Sequence, residues 1–413
     1  MSKKDFFSAQ IVADVLSVSK RNMEAWEKNG KLVPQLDPSK TSEPYHKSQL
    51  TAYPEFQAMF ESSWDKEHRT KPNSNYGLIE LFAGAGGLAI GLEKAGFKNV
   101  LISDRDKDCC ATLKANRPDW TVVQDDIRNI DFSEYRGQVD LLTGGFPCQP
   151  FSYAGKKLGF EDARGTEFFE FARAVKETQP KAFLIENVKG LATDNEGATV
   201  KTIVAILEEL GYTIVEQHIY KALFYKVPQK RERLIIIGVR NDLAKNAIYE
   251  KPSPFYEVVT VKDALKKGVL YKEDVPESVG QAYPKRKAEI LQHVPQGGYW
   301  RDLPIDLQKE YMMKSFYLGG GKTGMARRLS WDEPSLTLTC SPAQKQTERC
   351  HPEETRPLSV REYARIQTFP DDWQFCGSMS SQYKQIGNAV PVNLSEAIGL
   401  AIIRMLDNIN MSN

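Results

Sequence analysis

The sequence predicts an α/β fold built on an open, mostly parallel sheet with helices on both faces. From Tyr76 onward, short apolar runs alternate with amphipathic stretches, as strands and helices do in such a sheet. The last run follows the preceding one after only a loop, which predicts a hairpin and hence one antiparallel strand. Strands are predicted over residues 78–82, 100–103, 121–123, 139–142, 183–185, 212–215 and 234–239, and helices over 88–95, 168–176, 200–210 and 392–406.

The composition is that of a balanced, water-exposed enzyme rather than a secreted or membrane protein. A chain of 413 residues with 41% hydrophobic content can bury a large core, and its net charge is only +1. Any nucleic-acid contact must therefore come from local basic clusters. The six cysteines form no C-x-x-C pair, which argues against a zinc site or a disulfide scaffold. No apolar run approaches the ~18 residues of a membrane span. We expect a cytoplasmic protein.

The chain divides into four parts by sequence character. Residues 1–65 are polar and have helical patterns, and a linker-like stretch follows them. Residues 76–254 carry the alternating strands and helices. Residues 255–380 are irregular, with many prolines, glycines and lysines and no clean period. Regular helical spacing returns in residues 381–413, which we expect to rejoin the α/β domain.

A glycine-rich loop follows the first predicted strand and opens a helix. Gly84, Gly86 and Gly87 allow the backbone to approach a ligand, and the helix N-terminus supplies unpaired N–H donors. Asp104 ends the next strand, as the acidic residue of a dinucleotide fingerprint does. The loop alone predicts a nucleotide-like cofactor. It leaves a dinucleotide, another nucleotide-like cofactor and a simple tight turn open.

Cys148 follows the fourth predicted strand, at the edge where open α/β sheets bind their ligands. Pro147 and Pro150 bracket it and stiffen the loop, as a thiolate nucleophile requires. The alternative is a buried cysteine that acts only as a small hydrophobe, which is the usual state of a lone cysteine.

Charged residues stand beside two of the later apolar runs, at residues 183–185 and 234–239. Glu186 comes directly after a strand, where partial desolvation would keep a proton available near neutral pH. An ordinary turn glutamate is the alternative. Arg231 and Arg233 precede the last strand, and alternate residues of an extended segment share a face. Two guanidinium groups over one cleft suit a phosphate or a base carbonyl, whereas a solvated charge run is the alternative.

Taken together, these motifs resemble those of the cytosine-C5 DNA methyltransferases, the modification enzymes of bacterial restriction systems. They stand in the family's order, which excludes the dinucleotide interpretation. The motifs are Phe-Ala-Gly-Ala-Gly-Gly (82–87), Gly-Phe-Pro-Cys-Gln-Pro-Phe-Ser (145–152), Glu-Asn-Val (186–188), Gln-Lys-Arg-Glu-Arg (229–233), Arg-Glu-x-x-Arg-x-Gln-x-Phe-Pro (361–370) and Gly-Asn-Ala-Val (387–390). The resemblance implies a Rossmann-like methyltransferase sheet, with a target-recognition domain at residues 255–380.

The resemblance also implies a catalytic mechanism. Cys148 would attack C6 of cytosine, and Glu186 would donate to N3 and the exocyclic amine. Arg233 and Arg231 would hold the cytosine O2 and nearby phosphates. The base must be flipped out of the duplex for this chemistry, and Gln149 and Ser152 lie in the loop expected to close over the DNA.

The implied cofactor is S-adenosylmethionine, which becomes S-adenosylhomocysteine, and no metal is expected. Asp104 matches the acidic residue that accepts the ribose hydroxyls, although the family more often has glutamate there. Asp126 matches the residue that contacts the adenine amine. The remaining expected cofactor contacts are Phe82, Gly84, Gly86, Gly87, Pro147 and Asn388.

Double-stranded DNA is the expected partner, and the recognition domain supplies candidate contacts. These are Arg327 and Arg328, with Lys345 and Arg349, although solvated surface charge is the alternative. Thr337 or Thr339 resembles a family threonine that packs near the flipped nucleotide. We expect a monomer, because one base is methylated at a time.

Within residues 1–65, the stretches 8–16, 17–27, 30–34 and 45–50 resemble the winged helix-turn-helix of the MerR-type regulators, with only Lys20 and Arg21 where that family has an arginine-rich helix. This predicts a second DNA-binding module, which would act on the gene's own promoter or extend the footprint, and a packing appendage is the alternative. Three other functions are the alternatives. The nearest is an RNA cytosine methyltransferase of the same fold. The second is a regulator with a decayed catalytic core, against which the intact Cys148, Glu186 and Arg233 argue, and the third is a dehydrogenase, against which the order of the motifs argues.

Overall fold

The computed structural model describes residues 5–37, 41–69, 75–147 and 166–411. By their internal contacts, the residues form two compact units. Unit 1 comprises Met1–Arg69, Ala222–Arg231 and Ser253–Thr368, and unit 2 comprises Thr70–Lys221, Glu232–Pro252 and Phe369–Asn413. The boundaries of the units differ from those of the four predicted parts. Residues 222–231 were predicted within the α/β domain but belong to unit 1, and residues 369–380 were predicted within the recognition domain but belong to unit 2.

The elements are numbered along the chain. The strands are β1 (Phe6–Phe7), β2 (Tyr45–His46), β3 (Gly77–Leu81), β4 (Lys98–Asp104), β5 (Val122–Gln124), β6 (Leu141–Gly144), β7 (Ala182–Val188), β8 (Tyr212–Lys221), β9 (Gln229–Lys230), β10 (Glu232–Arg240) and β11 (Ser335–Leu336). The helices are α1 (Ala9–Leu16), α2 (Lys20–Lys28), α3 (Lys47–Leu50), α4 (Pro54–Phe60), α5 (Trp64–Arg69), α6 (Gly87–Ala95), α7 (Lys107–Asn116), α8 (Glu167–Thr178), α9 (Gly190–Thr193), α10 (Ala198–Glu209), α11 (Val261–Leu265), α12 (Lys285–Leu291), α13 (Ile305–Met312), α14 (Val360–Ile366), α15 (Met379–Asn388) and α16 (Val392–Met411).

Unit 2 is built on a seven-stranded sheet in the order β5-β4-β3-β6-β7-β10-β8. The pairs from β5 to β7 are parallel, and β10 is antiparallel to both β7 and β8. The sheet is therefore mostly parallel with one reversed strand, which confirms the predicted sheet. The last two predicted strands correspond to β8 and β10, which pair antiparallel with Ile235 opposite His218.

The helices of unit 2 cover the sheet because each has an apolar face. In α8, Phe168, Phe171 and Val175 recur at helical spacing and are buried in one cluster with Ile79 and Ile185 of the sheet. Thr166 caps this helix by accepting a hydrogen bond from the backbone N–H of Phe169 at 3.1 Å. The predicted amphipathic stretch is therefore a core-facing helix of the fold.

Helices α6 and α16 approach each other closely at glycines. A Cβ on Gly91 would lie 2.3 Å from Cβ of Ser395 and 2.5 Å from the carbonyl oxygen of Val392. A Cβ on Gly399 would lie 2.8 Å from Cβ of Ala95. Any side chain at these positions would force the helices apart. The C-terminal helix α16 thus packs tightly against α6 of the α/β domain, where the sequence analysis expected it.

Replacement of Gly91 by alanine is expected to lower the free energy of unfolding by about 1–3 kcal/mol, because the added methyl overpacks the α6–α16 contact. Denaturant unfolding of the full chain measures this change. Gly190→Ala is the matched control, since a Cβ there meets nothing within 4 Å. Equal stability of the two variants would contradict the packing account.

Residues 379–411 are long and apolar enough to cross a membrane by length and composition, which the sequence reasoning overlooked. However, 78% of the apolar window is buried inside the protein. The segment includes two helices, α15 and α16, with Pro391 between them. Its hydrophobicity is accounted for by the core that α16 forms with α6.

The N-terminal part of unit 1 forms a small core of its own. Helices α1 and α2 are joined by residues 17–19, with Ser17 in the left-handed conformation at φ 55° and Ser19 capping α2. Strands β1 and β2 pair antiparallel beside them. The core contains Val12, Val15 and Phe56, and Leu223 from a distant stretch of the chain joins it.

The remainder of unit 1 has short helices separated by irregular segments, as its aperiodic sequence predicts. Buried arginines hold these segments together. The guanidinium of Arg365, on α14, donates to the carbonyls of Ala264, Glu273 and Asp274 at 3.0–3.2 Å and lies over the ring of Tyr271. Side-chain donors thus replace a regular backbone ladder in this region.

Candidate active site

The glycine-rich loop lies between β3 and α6, at the carboxyl end of the parallel strands. Phe82 has a φ of 58° and Gly86 a φ of 83°, and the latter caps α6. A positive φ is strained for phenylalanine, and such strain is concentrated at functional sites. A Cβ on Gly86 would lie 2.7 Å from the Leu113 side chain and 3.4 Å from Trp373. Glycine at position 86 is therefore required by the side chains that pack beside the loop.

Asp104, at the end of β4, fixes the loop. One carboxylate oxygen accepts a hydrogen bond from the backbone N–H of Gly84 and the other from that of Asp106, each at 2.8 Å. Burial raises the pKa of Asp104, and these two N–H donors partly counteract that rise. The sequence predicted an acidic ribose acceptor here. The structure adds that the same carboxylate holds the glycine loop in shape, and the ribose role stays a prediction.

Two further predicted cofactor residues lie in unit 2 with their own partners. Asp126 caps a short 3₁₀ turn and pairs with Arg128 at 3.0 Å. Asn388 is the last residue of α15 and is exposed. A Cβ on Gly87 would lie 2.3 Å from the carbonyl oxygen of Val390. The Gly-Asn-Ala-Val motif therefore packs directly against the start of α6, beside the glycine loop.

An aromatic cluster lies next to the loop. The rings of Phe82 and Phe146 have centroids 6.4 Å apart in an edge-to-face arrangement, and Phe146 packs on Phe168. Asn187 donates from its side chain to the carbonyl of Phe146 at 3.0 Å. Pro147 follows and is exposed. The segment that leads to the predicted nucleophile is thus anchored to β7, while Cys148, Gln149 and Ser152 lie outside the described residues.

Glu186 and Arg233 form an ion pair at the end of β7 and the start of β10. Nε of Arg233 lies 2.5 Å from Oε1 of Glu186, and each side chain is about one-tenth exposed. The antiparallel register produces this contact, because Arg233 stands opposite Val188. A Cβ on Gly145 would lie 2.9 Å from Oε2 of Glu186. The glycine before the Phe-Pro-Cys segment thus leaves room for the carboxylate.

A second carboxyl group lies near this pair and was missed by the sequence reasoning. Glu80, on β3, is fully buried. Desolvation, with Asp104 and Glu186 adding to it, raises its pKa well above the ordinary value. The signal that could have revealed it is an acidic residue inside an otherwise apolar strand. Trp373, fully buried beside Gly86, was also missed.

Arg231 is a buried residue of unit 1, and its predicted contact with the base or a phosphate stays a prediction. It is 1% exposed and donates to the carbonyl of Leu338 at 3.1 Å. The side chain of Gln229 bonds to the same segment. Its Oε1 accepts a hydrogen bond from the backbone N–H of Leu338, and its Nε2 donates to the side chain of Gln367. The prediction assumed one extended strand that includes both arginines. In the structure, β9 ends at Lys230 and β10 begins at Glu232, so Arg231 lies between two strands.

Arg328 is a structural residue rather than the predicted DNA contact. It is 4% exposed, and its five N–H groups donate within unit 1. The acceptors are the carbonyls of Val294, His351, Glu354 and Leu291 and the hydroxyl of Thr355. No donor is left for a phosphate or a base edge. Arg349 is similarly buried and donates to the carbonyls of Glu348 and Thr337.

The other predicted DNA contacts of unit 1 are partly exposed. Arg327 lies 3.9 Å from Glu333. Thr337 donates its hydroxyl to the carbonyl of Lys230 at 2.8 Å, whereas the hydroxyl of Thr339 lies 3.0 Å from that of Thr347. Of the two threonines, Thr337 is the one bonded to the Gln229–Arg233 motif. Their DNA contacts stay predictions.

Comparisons with known proteins identify the same family that the sequence motifs resemble. Residues 76–404 match the family described as C-5 cytosine-specific DNA methylase. The chain is 70% identical over 401 residues to the Type II methyltransferase M.PspPI of a Psychrobacter species, covering 97% of this chain and 96% of that protein. It is 63% identical over 407 residues to M.Eco47II of Escherichia coli, covering 98% and 97% of the two chains.

A solved structure shares the fold at low sequence identity. The structure of a Spodoptera frugiperda DNMT2 mutant superimposes with a TM-score of 0.56 at 17% identity, over 79% of this chain and all of that one. This likeness concerns the fold alone. The family match over most of the chain and the high identity to two curated methyltransferases lead to one assignment. The chain belongs to the C-5 cytosine-specific DNA methylase family.

Proposed function

We propose that this enzyme transfers a methyl group from S-adenosylmethionine to C5 of a flipped-out cytosine in a specific double-stranded DNA sequence. The observation that carries the proposal is the Glu186–Arg233 ion pair at the end of β7 and the start of β10. It combines a hydrogen-bonding carboxyl with a fixed cation at the edge where such sheets bind ligands. The high identity to Type II methyltransferases supports a role in host DNA protection within a restriction-modification system.

The chain's own residues would activate the cytosine in successive steps. The Cys148 thiolate adds to C6 of cytosine, while Glu186 gives a proton to N3, so that electron density moves to C5. S-adenosylmethionine, when bound, supplies an electrophilic methyl group on a sulfonium. A base then removes the C5 proton, elimination breaks the Cys148–C6 bond and restores the thiolate, and N3 returns its proton to Glu186. Arg233 holds Glu186 in place and would contact the cytosine O2.

The residues of the glycine loop fit this cofactor. A Cβ on Gly84 would meet nothing within 4 Å, so the loop backbone there faces open space that suits the close approach of a methionine moiety, whereas Gly86 and Gly87 pack against other residues of unit 2. We assign the ribose hydroxyls to Asp104 and the adenine amine to Asp126. The remaining contacts are assigned to Phe82, Gly84, Pro147 and Asn388.

DNA rather than RNA is the substrate that we propose. The flipped base must leave the stack at a cost of a few kcal/mol, which base contacts must offset. Gln149 and Ser152 would close over the DNA, and residues 255–380 would read the sequence. A long recognition region favours DNA, because family members that act on transfer RNA have a short one. We further propose that the enzyme acts as a monomer in the bacterial cytoplasm, at the nucleoid.

Methyl incorporation tests this function directly. The purified protein, labelled S-adenosylmethionine and plasmid DNA are incubated together, and acid-insoluble label is counted. Bisulfite sequencing of the product then locates the modified cytosines. We expect label at one recurrent sequence. Absence of label from a folded protein that binds the cofactor would refute the proposal.

The N-terminal helices are proposed to contact DNA as a helix-turn-helix of the MerR type. The support is local geometry, since α1 and α2 are joined by a three-residue turn and strands β1 and β2 flank them. Arg21 and Lys28 on α2 are exposed. The contact would serve the gene's own promoter, and hence autoregulation, or lengthen the footprint at the target.

Removal of the two cations, Arg21→Ala with Lys28→Ala, is expected to make the salt dependence of DNA binding shallower. The slope of log K against log salt should become less negative by about 2, because about one counterion is released per phosphate contact. Fluorescence anisotropy of the full-length protein on a promoter duplex measures the slope. Lys201→Ala with Lys245→Ala, two exposed lysines of unit 2, is the control. An unchanged slope would refute the contact.

A further inference from the structure

Helix α1 carries a buried carboxylate that pairs with a lysine of the Gln229–Arg233 motif. Oδ2 of Asp14 lies 2.7 Å from Nζ of Lys230, and the Asp14 side chain is 9% exposed. Its other oxygen accepts a hydrogen bond from the Gln10 amide at 2.8 Å. Burial raises the pKa of Asp14, and Lys230 counteracts this. Aspartate is rarely buried unless it is paired, so the contact accounts for the position of this residue.

The pair belongs to a charge network that joins three stretches of unit 1. Nζ of Lys230 also lies 3.8 Å from Glu333, and Glu333 lies 3.9 Å from Arg327. Asp14 comes from the N-terminal extension, Lys230 from β9, and the other two from the segment before β11. Charges in such a network depend on one another, because each loses its solvation on burial.

Lys230 stands in a segment that is held from two sides. Its neighbours Gln229 and Arg231 are buried at 0% and 1% exposure and bond to Gln367 and Leu338. Alternate residues of an extended segment point in opposite directions. On the other side of β9, the Lys230 side chain is held by Asp14 at 2.7 Å and lies 3.8 Å from Glu333, so Asp14 is the nearer of its two carboxylate partners. The chain reaches Arg233 three residues after Lys230.

Apolar packing links the same two parts of the chain. Leu223, which precedes β9, is buried in the N-terminal core with Val12 and Phe56, and Phe224 and Val258 pack against that core. The N-terminal extension is consequently not a separate globule on a linker within unit 1. It shares one core with the segments on either side of the motif.

We propose that Asp14 is a positioning residue for methyl transfer, which through Lys230 fixes the backbone that leads into Arg233. The proposal rests on the methyltransferase function given above. It makes residues 5–69 an integral part of the enzyme and not only a module for a second DNA site. The residue acts on the reaction without touching the substrate.

The test compares Asp14→Asn, Asp14→Glu and Lys230→Gln in the full-length enzyme, with Glu61→Gln as the control. Glu61 is exposed at the end of α4, so its variant removes an equal charge from the same extension. We expect kcat on plasmid DNA to fall about tenfold to a hundredfold in Asp14→Asn, since small displacements of reacting groups have effects of that size. KM for S-adenosylmethionine should stay unchanged, and Asp14→Glu should restore most of the rate.

The double variant Asp14→Asn with Lys230→Gln should be no slower than the slower single variant, because both remove one interaction. Thermal melting of each variant separates this result from unfolding. Wild-type kcat in Asp14→Asn would overturn the proposal. So would a rate loss that disappears once the unfolded fraction is corrected for, or one that Asp14→Glu fails to restore. Inactivity of the wild-type enzyme itself would refute the proposed function instead.

Discussion

Cys148→Ser is expected to lower methyl transfer to DNA by at least about a thousandfold, because the variant lacks the nucleophile that activates C6. A serine hydroxyl has nearly the same size but does not ionise near neutral pH. Binding of S-adenosylmethionine should be unchanged, since the cofactor contacts assigned above, with Asp104 and the glycine loop among them, do not include the thiol. Rates are measured by incorporation of labelled methyl groups, and cofactor affinity by calorimetry.

The matched control is Cys340→Ser, which removes an exposed thiol of unit 1. It should retain the wild-type rate within about twofold, as surface substitutions generally have small effects. A Cys148→Ser enzyme with more than a tenth of the wild-type rate would show that another group attacks the base. A denaturing gel adds a second readout, because duplexes that carry 5-fluorocytosine should become covalently attached only to the enzyme with Cys148.

Glu186→Gln is expected to slow methyl transfer by about a hundredfold to ten thousandfold, the range typical of a lost general acid. Glutamine keeps the size and the hydrogen-bonding shape of the side chain. It cannot, however, give a proton to N3 or form the ion pair with Arg233. We therefore expect kcat to fall while the affinity for S-adenosylmethionine stays the same.

Glu208→Gln provides the comparison for this variant, since Glu208 is an exposed glutamate of α10 in the same unit. Its rate should match the wild type. Equal rates for Glu186→Gln and the wild type would remove Glu186 from the mechanism. A melting temperature far below that of the control would instead indicate that the pair with Arg233 mainly stabilises the sheet.

The strands and the main helices of unit 2 could be predicted from sequence because hydrophobic spacing determines them locally. The run before Glu186 is apolar at every position, as a strand covered on both faces requires. The place of Glu186 at the carboxyl edge follows from the same reasoning. Its contact with Arg233 could not be predicted, since it depends on the antiparallel register of β7 and β10.

The buried arginines mark where sequence reasoning fails. Arg328 and Arg231 carry the charge expected of DNA contacts, but a sequence does not reveal that carbonyl groups far along the chain surround them. Val294 and His351, for example, lie 34 and 23 positions from Arg328. The membership of residues 1–69 in unit 1 was hidden for the same reason. It rests on Leu223 and on the Asp14–Lys230 pair, which join segments far apart in sequence.

The central claim is that the enzyme methylates C5 of cytosine in duplex DNA. Mass spectrometry of nucleosides tests it most directly, after incubation of the enzyme and S-adenosylmethionine with unmethylated duplex DNA and, separately, with transfer RNA. We expect 5-methylcytosine from the duplex alone, and none with Cys148→Ser. A methylated nucleoside other than 5-methylcytosine in the duplex, or 5-methylcytosine only in the transfer RNA, would contradict this account.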